Sequence, residues 1–116
     1  MTAGDERYVF VLQHRHERFD AMPFDLARTW RQDKGADLVL YVMYDAVELL
    51  KKDTIVDHPD IREMLDALLA DGVPVYACGF CSRACALTGD DYYPGVQVGN
   101  RHVFYALMTE RRPVYW

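Results

Sequence analysis

Short apolar runs recur along this chain, with helical patterns between them. Tyr8-Val9-Phe10-Val11-Leu12 and Leu38-Val39-Leu40-Tyr41-Val42-Met43-Tyr44 are continuous runs of β-forming residues, and Val73 to Ala77 is a third. A run with no polar face suits a strand covered on both sides. Between the first two runs, Leu26, Ala27 and Trp30 share a helical face, with Pro23 suited to the first turn and Lys34-Gly35 to the end. Between the second and third, Ile61, Met64, Leu65 and Leu68 follow Pro59 at the i, i+3, i+4, i+7 spacing, and Gly72 stops the segment. Parallel neighbours need a long crossover, which such helices supply. The pattern predicts an α/β fold: a mainly parallel sheet with helices on both faces.

The rest of the chain extends the alternation. Asp45 is placed to cap a short helix from Ala46 to Lys52. Cys81 to Leu87 reads as a short helix ending at Gly89, and Asp90 to Gly95 as a polar turn. Val96-Gln97-Val98 is a brief fourth strand. Asn100 is a plausible N-cap for a helix carrying Val103, Phe104, Leu107 and Met108 on one face; Pro113 marks its end, and Val114-Tyr115-Trp116 forms a fifth strand. The 116 residues, 51% of them hydrophobic, suit one domain with one core, spanning 1–116 with a five-stranded sheet. Ligands in such folds bind beyond the carboxyl ends of the strands. His14 and His16, Asp45, Cys78 and Cys81, and Asn100 each follow a strand and should gather at one edge.

All three cysteines lie within one segment, Cys78-Gly79-Phe80-Cys81-Ser82-Arg83-Ala84-Cys85. A framework of paired cysteines would be spread out to close long loops; clustered thiols point to chemistry or metal. With a helix beginning near Phe80, Cys81 and Cys85 fall one turn apart on one face. Cys81 then sits near the helix N-terminus, whose free N–H groups stabilise a thiolate and lower the thiol pKa, and Arg83 adds positive charge. Cys78, at the strand end, approaches Cys81 through Gly79, which allows backbone geometry that a side chain forbids. A thiolate is the attacking species in sulfur exchange. The cluster therefore suits a persulfide carrier, a dithiol redox site or a metal site.

The stretch Gly72-Val73-Pro74-Val75-Tyr76-Ala77-Cys78-Gly79-Phe80-Cys81 resembles the G-V-x-V-x-x-C-G-x-C segment of the DsrE/DsrF-like family. Val96-Gln97-Val98-Gly99-Asn100 is similar to the strand and cap before that family's last helix, and Val42 to Leu50 to the segment after its second strand. The resemblance runs from about Tyr8 to Tyr115. It implies a compact parallel α/β sheet, frequent trimers or hexamers, and sulfur transfer in which a cysteine after the third strand carries a persulfide between donor and acceptor proteins. Cys78 holds the strand-end position and Cys81 matches the second cysteine; either can be the acceptor. Cys85 is an addition to the pattern and a candidate resolving or relay thiol. Ala46 stands where the family commonly has glycine.

These residues give the candidate site: Cys78, Cys81 and Cys85 for chemistry, with Arg83, His14 and Asn100 for substrate. No metal ligand set is assigned, since no second CxxC supplies a fourth ligand. No organic cofactor is called for, since the chain has neither a G-x-G-x-x-G nor a P-loop motif. The net charge of −5 disfavours a direct nucleic-acid footprint. No apolar run reaches a membrane span, and the polar segment Met1 to Arg7 does not read as a signal peptide, which predicts a cytoplasmic location. Tyr92, Tyr93, Tyr115 and Trp116 suggest a contact surface for a homo-oligomer.

Overall fold

A parallel sheet organises the molecule. The computed structural model describes residues 6–116, so the polar N-terminal segment lies largely outside the described residues. The strands are β1 (Arg7–Leu12), β2 (Asp37–Val42), β3 (Val75–Ala77), β4 (Gln97–Val98) and β5 (Arg112–Tyr115). All pair in parallel in the order β4-β3-β2-β1-β5, the five-stranded α/β architecture expected. The helices are α1 (Met22–Lys34), α2 (Lys52–Val56), α3 (Pro59–Ala70), α4 (Gly79–Ala84) and α5 (Arg101–Glu110). None is long and apolar enough to cross a membrane.

Register sorts side chains onto the two faces. Phe10, Leu40 and Val75 align across β1, β2 and β3, and the next positions along, Val11, Tyr41 and Tyr76, point the other way. The Phe10 face is covered by α1, whose Trp30 meets the Phe10 ring edge-on at 5.4 Å, with α3 packed beside α1. The Tyr41 face is covered by α5, whose Phe104 ring lies 4.9 Å from that of Tyr41. Continuous apolar strands were needed because both faces are buried: Val9 to Leu12 and Leu38 to Val42 are almost wholly enclosed. Each such side chain contributes roughly 1.5–3 kcal/mol of transfer free energy, an upper estimate against a compact unfolded chain. Local signals hold at the helix ends: Pro23 and Pro59 lie in first turns, and Gly35 closes α1 with φ of 62°.

Several segments differ from the sequence reading. Tyr44–Leu50 is a 3₁₀ helix that starts before Asp45, so Asp45 caps nothing and instead faces His14. Helix α4 starts at Gly79 rather than Cys81 and ends at Ala84 rather than near Gly89. Ala86, with φ of 58°, takes the left-handed turn after it, while the Leu87 N–H donates to the Ser82 carbonyl at 2.8 Å. Strand β5 includes Pro113, tolerated because β5 is an edge strand with only β1 beside it. The polar turn hides an interior residue: Tyr92 is only 1% exposed, and its hydroxyl pairs with the Ser82 hydroxyl. Trp116 packs on its own domain, 5.8 Å from Phe10, and Tyr93 donates to Asp66. Of the four aromatics expected at a contact surface, Tyr115 remains clearly exposed.

Candidate functional site

The site forms where β3 and β4 end. These strands are neighbours, yet the chain leaves them in different directions. After β3 it enters α4, which packs against the 3₁₀ segment Tyr44–Leu50; after β4 it enters α5, on the Tyr41 face. Such a fork opens a crevice at the carboxyl edge of a parallel sheet. A pocket of about 420 Å³ occupies it.

Strand alternation puts the floor of the pocket together. The Cys78 N–H continues the ladder by donating to the Val42 carbonyl at 2.8 Å, so Cys78 follows Tyr76 onto the Tyr41 face. Tyr41, Met43 and Cys78 all line the pocket, and Phe80 and Phe104 supply apolar walls. Arg83, Asn100, Arg101 and His102 form its polar border. Of the three cysteines only Cys78 lines this pocket. It is also the N-cap of α4: the Cys81 N–H donates to Cys78 Sγ at 3.5 Å. The helix-terminal contact expected for Cys81 falls instead on Cys78, the residue just before the first residue of α4, Gly79.

Cys81 has a different setting. It is 6% exposed, and its thiol accepts the Tyr44 N–H at 3.0 Å. Burial pushes its pKa up to about 11, and the nearby Cys78 and Cys85 thiols add to the rise, while the Tyr44 N–H opposes it. The expected lowering at Cys81 is therefore reversed: loss of water outweighs one hydrogen bond. Cys85 is half-buried at the C-terminal end of α4, where its N–H donates to the Cys81 carbonyl at 3.0 Å. Among the described residues, no three His, Cys, Asp or Glu side chains converge to hold a metal ion.

The fold brings Cys78, Arg83 and Asn100 together but leaves His14 apart. Asn100 caps α5, accepting the Val103 N–H at 3.0 Å, while bordering the pocket. His14 faces Asp45 at 3.2 Å and stacks on Tyr44, with ring centroids 5.4 Å apart. Tyr44 separates it from the thiols and holds a left-handed φ of 51°, a conformation that costs a non-glycine residue about 1–2 kcal/mol. This strained residue aims its N–H at Cys81.

Gly79 is required for a different reason than the one expected. Its φ does not lie in the left-handed region; a Cβ there would collide with the Gly99 carbonyl oxygen across the β3–β4 fork. Tyr41, Arg101 and His102 are pocket residues the sequence reading missed. Period-two alternation relating Tyr41 and Met43 to Tyr76 and Cys78 was a usable signal for the first. The first turn after the Asn100 cap was the signal for the other two. Tyr41 has its pKa raised, chiefly by burial and further by the charge and hydrogen bonding of Cys78, so its hydroxyl keeps its proton beside that thiol.

The sequence model of the DsrE/DsrF-like family matches residues 6–114. A Methanopyrus kandleri protein, MK0008, is 33% identical over 70 residues, covering 60% of this chain and 58% of that protein. The match thus spans well under two thirds of that relative's length. The crystal structure of the YchN protein from E. coli superposes with a TM-score of 0.81 at 22% identity, covering 96% of this chain and 99% of YchN. MTH1491 from Methanobacterium thermoautotrophicum superposes at 0.78, also 22% identical, covering 97% and 100%. At these identities the two structures speak to the fold.

Proposed function

The chain belongs to the DsrE/DsrF-like family, whose members often act in sulfur relay with partner proteins, and from that premise we propose that it is a sulfur carrier whose acceptor is Cys78. The observation that carries the reading is the contrast between two thiols three residues apart. Both thiols are buried, Cys78 9% and Cys81 6% exposed, but Cys78 lines the pocket, whereas Cys81 does not and has its pKa pushed up to about 11. In the reaction, the Cys78 thiolate attacks the outer sulfur of a donor persulfide. A sulfur–sulfur bond forms to Cys78, the donor's own sulfur–sulfur bond breaks, and the donor leaves as a thiolate with the electron pair. No net oxidation occurs. The Cys81 N–H donates to sulfur at Cys78, and the neutral Tyr41 hydroxyl belongs to the same pocket. The loaded sulfur passes to an acceptor protein by the same exchange in reverse. Cys85, closer to the surface than Cys81, serves as a relay or resolving thiol. The carrier acts in the cytoplasm as a homo-oligomer, a trimer or hexamer, in keeping with the family resemblance, and the exposed Tyr115 is available for such a contact.

Mass spectrometry after incubation with inorganic polysulfide tests the assignment. Wild type, Cys81→Ser and Cys85→Ser gain one sulfur atom, and Cys78→Ser does not. Equal loading of Cys78→Ser overturns it; a Cys78–Cys81 disulfide formed without sulfur gain supports a dithiol redox site instead.

A further inference from the structure

The charge around the thiol says which donors fit. The whole chain carries a net charge of −5, yet the pocket lining contains Arg83, Arg101 and His102 and no acidic residue. Among the described residues, neither arginine has an acidic side chain within ion-pair distance, whereas Arg15, Arg31 and Arg111 all do. Arg83 and Arg101 come from different helices, α4 and α5, and border the same opening. Unpaired cations over low-dielectric walls concentrate anions in the crevice. Below this border the walls are apolar, made by Tyr41, Met43, Phe80 and Phe104. At about 420 Å³ the pocket has the size of a site for an organic small molecule, larger than a bare inorganic sulfur anion needs.

Resting on the carrier reading above, we infer that Cys78 is loaded by a low-molecular-weight organic persulfide bearing carboxylates. The organic part lies against the aromatic walls, and the carboxylates meet Arg83 and Arg101. The outer sulfur sits on Cys78. The thiolate of Cys78 forms the new sulfur–sulfur bond as the donor's breaks. The carboxylated thiol departs as a thiolate and takes its proton from water.

The test compares loading rates from two persulfides at equal concentration. Glutathione persulfide carries carboxylates; cysteamine persulfide carries an ammonium group and none. The wild-type protein loads at Cys78 about 10-fold faster from the first, an advantage that shrinks as salt is raised. In the double variant Arg83→Gln, Arg101→Gln the ratio of the two rates falls towards one. The ratio is read within each variant, so a general loss of reactivity does not imitate the result. Equal rates in wild type, or an unchanged ratio in the double variant, overturn the inference while leaving Cys78 as carrier. So does loading from a persulfidated protein alone, since the pocket then admits a protein segment. Failure of every donor, polysulfide included, to load Cys78 overturns the carrier reading itself.

Discussion

Replacing Gly79 by alanine tests the geometry on which the thiol's position depends. The new methyl group points at the carbonyl oxygen of Gly99, closer than real Cβ atoms approach another heavy atom. Neither side of this contact has a flexible side chain to swing away. The Gly99 N–H is tied to the Ala77 carbonyl at 2.8 Å, and Cys78 is tied to Val42 at 2.8 Å. Relief therefore requires moving β4 from β3 or tilting the first turn of α4. Overpacking of this kind costs typically 1–3 kcal/mol. Alanine's better helix propensity returns at most about 1 kcal/mol, and less in a first turn. The expected net loss is about 1.5 kcal/mol, or roughly 6 °C in Tm for a domain of this size. Urea unfolding followed by far-ultraviolet circular dichroism measures it as a lower midpoint at unchanged slope. Gly89→Ala is the control: a Cβ there meets Val98 Cγ2 at 3.7 Å, an ordinary contact, and stability moves by no more than about 0.5 kcal/mol. A Gly79→Ala protein as stable as wild type refutes the reasoning, as does an equal loss in the control.

Two further outcomes follow from single residues. Ala86→Gly stabilises by up to about 1 kcal/mol, because glycine holds the left-handed turn after α4 without strain, and a lower urea midpoint contradicts this. Cys81 makes stability fall in alkali. Its thiol stays neutral in the fold to about pH 11 but ionises near pH 9 when unfolded, so its contribution is complete below pH 9 and lost as pH rises through 11. The loss is at most about 3 kcal/mol; Cys81→Ala shows a flatter alkaline limb, and identical limbs count against a buried neutral thiol.

The fold was legible because its central strands β1, β2 and β3 run almost wholly apolar and its helices carry regular stripes, as in Phe10 against Trp30. The cysteine cluster and its edge were legible for the same reason: the position of Cys78 at the end of β3 follows from strand order along the chain. What escaped was the phase. The sequence reading put Cys81 at the helix N-terminus and left Cys78 and Cys81 equal, whereas α4 starts at Gly79 with Cys78 as its N-cap. Asp45 was misplaced because a 3₁₀ turn obeys a different spacing from the helix assumed there. Tyr92 looked like a surface residue because its partner, the Ser82 hydroxyl, comes from another element. For Arg101 and His102 the Asn100 cap marked the turn they occupy, but their place beside Cys78 needs β4 next to β3, a pairing that no local pattern announces.

The fork between β3 and β4 divides responsibility within the molecule. The backbone that presents the sulfur belongs to α4, braced by the segment leading to α2, while half of the basic border belongs to α5, resting on the other layer. Substitutions along α5 can thus change which molecules are admitted while the scaffold of the reacting atom stays as it is. On the carrier reading proposed above, donor choice is set in part by α5, while the setting of Cys78 is fixed by β3 and α4.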